Sequence, residues 1–409
     1  MSQVSIISTK KFKDVVVTLR FAKNDQSKNT ERALLALMLS DRSSTYNTKV
    51  KMNRKLDNMF GATLHSSVRD YGKAHIIDLS LGVLNEKFVK ANLLLDQLEL
   101  LSELIYKPLL SEEVFSEAKQ VLTDMLNRDS DNLSSYTTKQ ALKVAGAGYP
   151  LEFNRIGSLE VLENLTLADI KAEMESMLAS DVLNIIVVGD VDKEETLKLI
   201  DNYFTFKLKN LSFESSYLLR SSKVKNEIEY KDTQQAYLTI VYDTNTLNVG
   251  KDYWSLQMMS MILGQLPNSF LFQEVREKRS LCYSIRSNVR GYDGVMTISA
   301  GVRSNSVDEA IDLSVKQVER IVNSEFNDGL FDSAKVILID SIYKTDDSNR
   351  RMIDSEYRKI ILDEDYSTDD LIEIIKDISR DDIVEVAKRL NLNTIYKVVR
   401  KDKDEENSQ

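Results

Sequence analysis

The chain repeats itself, and the repeat limits what it can fold into. Ser66, Val68, Arg69 and Tyr71 reappear as Ser287, Val289, Arg290 and Tyr292, each 221 positions later (287 − 66 = 221). Ser80, Gly82 and Val83 reappear as Ser299, Gly301 and Val302 at 219 (301 − 82 = 219). Phe115, Ala118, Lys119 and Leu122 reappear as Phe331, Ala334, Lys335 and Leu338 at 216 (331 − 115 = 216). Three matching stretches in one order, with an offset that drifts only through short gaps, mark two duplicated halves. At 409 residues the chain is too long for one ordinary core and suits such a pair.

Within the first half the hydrophobic period alternates between that of strands and that of helices. Val15 to Phe21 is β-branched and strand-like, and Thr30 is placed to cap a helix running to about Leu39. A helical stretch from Lys49 to Met59 stops at Gly61. Thr63 to Arg69 and Ala74 to Val83 alternate about a short turn and predict a β-hairpin. Helical patterns follow over Glu86 to Ile105 and Glu112 to Leu126. The capping box of Thr166 and Asp169 then opens a helix that leads to a buried-type strand, Val182 to Val188. Strands followed by blocks of helix predict α+β layers, each half a mixed or antiparallel sheet covered by helices. The division expected is a first domain over 1–210, a linker at 211–224 and a second domain over 225–409.

Composition excludes several functions. A formal net charge of −10 makes non-specific binding to nucleic acid or anionic membranes an unexpected role. No run reaches the roughly 18 apolar residues of a membrane span, and Met1 to Ser8 lacks a basic stretch followed by an apolar one. A cytoplasmic protein is expected. The single cysteine, Cys282, fits a reducing compartment and cannot form an internal disulfide. No phosphate loop and no C-x-x-C pair is present.

The strongest local signal is Leu271-Phe272-Gln273-Glu274-Val275-Arg276-Glu277-Lys278-Arg279-Ser280-Leu281-Cys282-Tyr283-Ser284. This run closely resembles the segment LFQEVREKRGLAYS of the pitrilysin-type (inverzincin) processing metallopeptidases, departing from it at Ser280 and Cys282. The resemblance implies a pair of pitrilysin-like halves in each chain, with paired halves enclosing a peptide-binding chamber. It also implies an H-x-x-E-H zinc motif on the first long helix. Here those positions read Ala33-Leu34-Leu35-Ala36-Leu37, and neither a methyl nor an isobutyl group has a lone pair for a metal. The later carboxylate ligand of the family falls on Asp124 or Met125, with a second acidic position at Glu117 or Ala118. No zinc site is expected in this chain.

Substitute chemistry is thin. The only histidines, His65 and His75, lie on the two arms of the expected hairpin. With a turn at Tyr71-Gly72, residue 75 faces residue 68, and the two rings leave opposite faces of the sheet. Cys282 has no neighbouring base in sequence and reads as a buried apolar residue. The resemblance instead points to Arg276 and Tyr283, which in similar enzymes hold the substrate backbone near the scissile carbonyl. Guanidinium and phenol can both donate to a carbonyl oxygen as it becomes an oxyanion. The loop before this segment keeps Gly264 but gains Pro267, where similar proteins carry several glycines. The expected protein is the metal-free subunit of a heterodimeric peptide-processing protease, with zinc in a homologous partner and a peptide substrate bound as an added strand. The alternative is a non-catalytic scaffold or peptide-binding protein on the same fold.

Overall fold

The computed structural model describes residues 4–204 and 215–401, and these form two compact units of the same design. The first holds β1 (Val4–Ser8), β2 (Asp14–Lys23), β3 (Thr63–Tyr71), β4 (Ala74–Leu84) and β5 (Val182–Gly189), in the order β1-β5-β2-β4-β3. The second holds β6 (Lys225–Lys231), β7 (Ala236–Asp243), β8 (Cys282–Arg290), β9 (Val295–Val302) and β10 (Asn391–Arg400), in the matching order β6-β10-β7-β9-β8. Each sheet is mixed: β1 runs parallel to β5 and β6 to β10, and the other neighbours are antiparallel. The fold is α+β with two similar units. Among the described residues no helix is long and apolar enough to cross a membrane.

The repeat offsets reproduce the hydrogen-bond register. Thr18 pairs with Ser80 in the first sheet, and their copies Thr239 and Ser299 pair in the second. The drop from 221 to 219 falls on the hairpin connection, which is Asp70–His75 in one half and the shorter Gly291–Gly294 in the other. On β2 the side chains of Val15, Val17, Leu19 and Phe21 pack into the first core with Leu79, Leu81 and Val83 of β4. Thr18 and Arg20 leave the opposite face, as period-2 geometry requires.

That opposite face is covered by an unexpected element. Helix Leu133–Ala145 and helix Asn349–Leu362 occupy equivalent places in the repeat (349 − 133 = 216), yet each packs in the other half's unit. Residues Arg128–Glu152 belong to the second unit, where Ala141, Leu142 and Ala145 form a small core with Val241, Val295 and Val398. Residues Lys344–Glu364 belong to the first unit, with Ile353, Tyr357 and Ile361 buried. The units are therefore not the contiguous blocks 1–210 and 225–409. The chain crosses between them near Ser215, and residues 205–214, which include part of the expected linker, lie outside the described residues.

Each exchanged helix meets the repeated hydroxyl pair or its neighbour. Thr138 Oγ1 lies 3.2 Å from Thr239 Oγ1 and 3.1 Å from Ser299 Oγ. Asp354, the copy of Thr138 (354 − 138 = 216), instead accepts from Arg20, one ladder position further along β2 than Thr18 on the same face. Arg20 Nε also donates to Asp78 at 2.9 Å, and Arg69 reaches Asp78 at 3.3 Å and Asp354 at 3.2 Å. Tyr357 lies under the Arg20 guanidinium at 4.6 Å and edge-on to Tyr71. In the second half the pair copying Arg20 and Asp78 is Val241 and Thr297, so this charge network is confined to one unit.

Three local expectations are corrected. The helix expected from Glu86 starts at Leu93, because the Asn85 side chain accepts from the Lys87 N–H and closes a short 3₁₀ turn first. The N-cap of helix Asn29–Leu39 is Lys28, and Thr30 lies inside the helix, where its hydroxyl accepts from the Ser158 N–H at 3.2 Å. Gly157 passes so close that a Cβ there would meet Thr30 Oγ1 at 1.9 Å. The hairpin turns at Gly72-Lys73, so His75 pairs with Asp70 and not with Val68.

Arg20 and Asp78 are 1% and 3% exposed, so truncating Asp78 strands a buried cation. Asp78→Ala is expected to cost about 3 kcal/mol, at the lower end for a broken buried pair because Asp354 still faces Arg20. Chemical denaturation of the full chain measures it.

Candidate functional site

The helix positions that would carry a zinc motif belong to the first core. Ala33 and Ala36 are buried and Leu37 packs partly buried against the same cluster. Glu117 is engaged by Arg42 Nη2 at 2.5 Å and Lys49 Nζ at 2.7 Å; the hydrogen bond from Lys49, then Arg42, holds its carboxyl below the usual range. Asp124 accepts from Gln120 at 3.0 Å on the same exposed helix face as Val121 and Met125. His75 is fully buried with Nδ1 2.8 Å from Asp70 Oδ1, while His65 is exposed and leaves the other face of the sheet. Among the described residues no group of three or more His, Cys, Asp or Glu is placed to hold a metal. These side chains do not fit zinc, and no step of the chemistry is assigned to one in this chain.

The segment carrying Arg276 and Tyr283 has defined geometry. Helix Gly250–Gly264 is followed by a turn through Leu266 and Ser269, then by the π-type helix Phe272–Lys278. Wide turns of this kind concentrate at functional sites. Gly264 is required here, since a Cβ would stand 2.7 Å from both Leu271 Cδ1 and the Ser287 nitrogen on β8. Leu271 and Val275 anchor the helix in the second core, which leaves Arg276 on the outer side, stacked 4.5 Å over Phe272 and 3.7 Å from Glu277. The helix closes with Ser280 N–H donating to Arg276 C=O and Leu281 N–H to Val275 C=O.

Closure puts Ser280 at φ +53, the left-handed region that glycine occupies freely. This is the position where the similar segment reads Gly. The next departure, Cys282, is buried on β8, and Tyr283 follows as the extra residue of a β-bulge between Cys282 and Ser284. The bulge throws Tyr283 outward, 84% exposed, at the start of the edge strand of the second sheet. Burial pushes the Cys282 thiol up to about 11, against a smaller lowering by Arg276. Little thiolate therefore exists at neutral pH, and the sulfur is a weak nucleophile there.

Beside Tyr283 lies an open cavity of about 800 Å³ at the start of β7 and the end of β9. Gln235, Tyr237, Tyr283, Arg303, Ser304 and Asn305 line it, and Arg303 is its one charged residue. Gln235 lies over Gly301 and donates to the Tyr237 hydroxyl at 2.8 Å. Sequence reasoning missed Arg303. The available signal was the repeat, in which position 303 copies Leu84 (303 − 84 = 219) and so replaces an apolar strand end with a cation.

Comparison with known proteins agrees with this geometry. Residues 164–338 match the family model described as the peptidase M16 inactive domain. A curated relative from Bacillus subtilis (strain 168), named probable inactive metalloprotease YmfF, is 25% identical over 352 residues, covering 84% of this chain and 83% of the relative. A solved structure of a conserved protein from Enterococcus faecalis V583 superposes with TM-score 0.91 at 24% identity, covering 97% of this chain and 96% of that one. A structure titled peptidase M16 inactive domain, from Pseudomonas fluorescens, gives 0.82 at 16% identity over 98% and 96%. Two similar α+β units and these matches make the chain similar to the peptidase M16 proteins, among them a relative named as inactive. The similarity to that family's inactive domain is carried by residues 164–338.

Two outcomes test the site's local physics. Ser280→Gly is expected to stabilise the chain by about 0.5–1 kcal/mol, the relief of a left-handed L-residue less glycine's added chain entropy; thermal or urea melts measure it. Alkylation of Cys282 by iodoacetamide in the native protein is expected to be slow at pH 7.5 and to rise with pH toward about 11, since only the deprotonated sulfur reacts.

Proposed function

We propose that this chain is the metal-free subunit of a heterodimeric, cytoplasmic peptide-processing protease, and that Arg276 and Tyr283 complete the active site of a homologous zinc-bearing partner. The observation that carries this reading is Tyr283, a large aromatic displayed 84% exposed by a bulge on an edge strand, with its hydroxyl free to meet a ligand. A tyrosine kept for packing would be half-buried. Arg276, its side chain 42% exposed, is held by Phe272 at the end of the helix that leads into the same strand.

In the proposed complex the peptide substrate adds along the edge strand β8 by main-chain hydrogen bonds, so side chains of many kinds are accepted. Arg276 and Tyr283 donate to the scissile carbonyl, and their bonds strengthen as charge develops on its oxygen. Water activation belongs to the partner, since Ala33, Ala36 and Leu37 offer neither ligand nor base.

Mixing the chain with a homologous H-x-x-E-H subunit is expected to create peptidase activity that neither shows alone. In that complex Tyr283→Phe is expected to lower turnover about 100- to 1000-fold, the cost of a lost oxyanion donor, with melting temperature and partner binding unchanged. A stable complex that stays inert on peptide libraries would favour the scaffold reading. Full activity of Tyr283→Phe would make the tyrosine structural.

A further inference from the structure

We infer that the cavity beside Tyr283 is a specificity subsite for a peptide carboxylate, with Arg303 as its anchor. The inference rests on the peptide-binding reading above and adds to it the class of peptide preferred.

Charge argues for it first. Arg303 is the one ionic group in the lining, and no acidic residue lines the cavity. Among the described residues Arg303 forms no ion pair, although acidic residues stand nearby on helix Val307–Val322. The two acids next in sequence are paired with other cations: Asp308 with Lys397 at 2.9 Å and Glu309 with Arg279 at 3.8 Å. Arg303 is an exposed guanidinium without an ion pair at an open cavity, on a protein of net charge −10. Planar two-pronged donation makes a carboxylate its best partner.

Position argues for it second. The cavity opens where β8 begins, and its wall includes Tyr283, the bulged residue of that edge strand. A peptide added along β8 therefore delivers a side chain or its own terminus into the cavity. The neutral groups complete a polar lining: the Gln235 amide, the Tyr237 hydroxyl, Ser304 and Asn305 supply donors around the place an anion would occupy. The backbone itself fixes the arginine, since the Arg303 N–H donates to Leu281 C=O at 3.2 Å and ties the end of β9 to the entry of β8. The substrate strand and the anchor thus share one rigid mount.

The carboxylate could be an internal acidic side chain or a chain terminus, and three decapeptides, identical and uncharged apart from these groups, separate the two sources. One carries an internal Glu and an amidated end, one an internal Gln and a free carboxyl end, and one an internal Gln and an amidated end. Isothermal titration calorimetry on the full chain is expected to show the first or second binding about 5- to 10-fold tighter than the third, between an exposed ion pair and a buried charged hydrogen bond. Arg303→Gln is expected to erase that advantage and leave the third peptide's affinity unchanged. Arg303→Glu is expected to favour a peptide with internal Lys instead. Equal binding of all three peptides by the wild type, or a preference that survives Arg303→Gln, overturns the subsite while peptide binding stands. Failure of all three to bind overturns both.

Discussion

The first unit depends on a buried arginine that its own sheet cannot satisfy. Arg20 sits at the centre of a strand flanked on both sides, and Asp78 on the neighbouring strand neutralises only part of it, because Arg69 shares that carboxylate. The second carboxylate, Asp354, arrives 334 residues later on a helix that must lie across the sheet to deliver it. A polar face of this kind is a strong constraint: apolar residues would accept a helix in many registers, whereas two arginines and two aspartates accept one. The equivalent contact in the second unit uses only hydroxyls, Thr138 with Thr239 and Ser299. The two sheets are covered in the same way with different stringency.

The candidate site shows a complementary logic. The positions where the resemblance places metal ligands serve packing and ion pairs, with Ala33 and Ala36 inside the core and Glu117 turned to Arg42 and Lys49. Arg276 and Tyr283 stand exposed on a segment mounted on the second core through Leu271 and Val275. Ser280 keeps the left-handed turn in place of glycine, so the chain retains the geometry at a cost in stability.

Much of this was legible because period and duplication are written in local residue order. The offsets 221 and 219 carry a cross-strand pair of one half onto that of the other, as with Ser66 and Leu79 against Ser287 and Ile298. The empty zinc motif could be read letter by letter. The exchange of helices could not, since residues 133–145 carry the same amphipathic pattern whichever sheet they cover. Arg303 was hidden for a similar reason: its meaning comes from a cavity assembled from three separated segments, and an arginine after a strand is otherwise unremarked. The Tyr283 bulge was hidden because one extra residue in a strand leaves no trace in composition. Thr30 misled because a hydroxyl near a helix start has two uses, and here the loop at Gly157 claimed it.

The exchanged helices also bear on how such a chain could arise. A polypeptide of one half alone would hold a sheet with one face bare and a helix with no sheet to cover. Two identical copies could cure both faults at once by trading helices, which is a closed, two-fold swapped dimer. Joining the copies end to end turns that trade into an internal one and raises the local concentration of each helix for its sheet. It also ends the requirement that both partners be the same. Once joined, the two bodies could change separately, and one could acquire a buried ionic cluster while the other refined a surface for ligands. The crossings of the chain between its units are what joining two such helix-trading copies would produce.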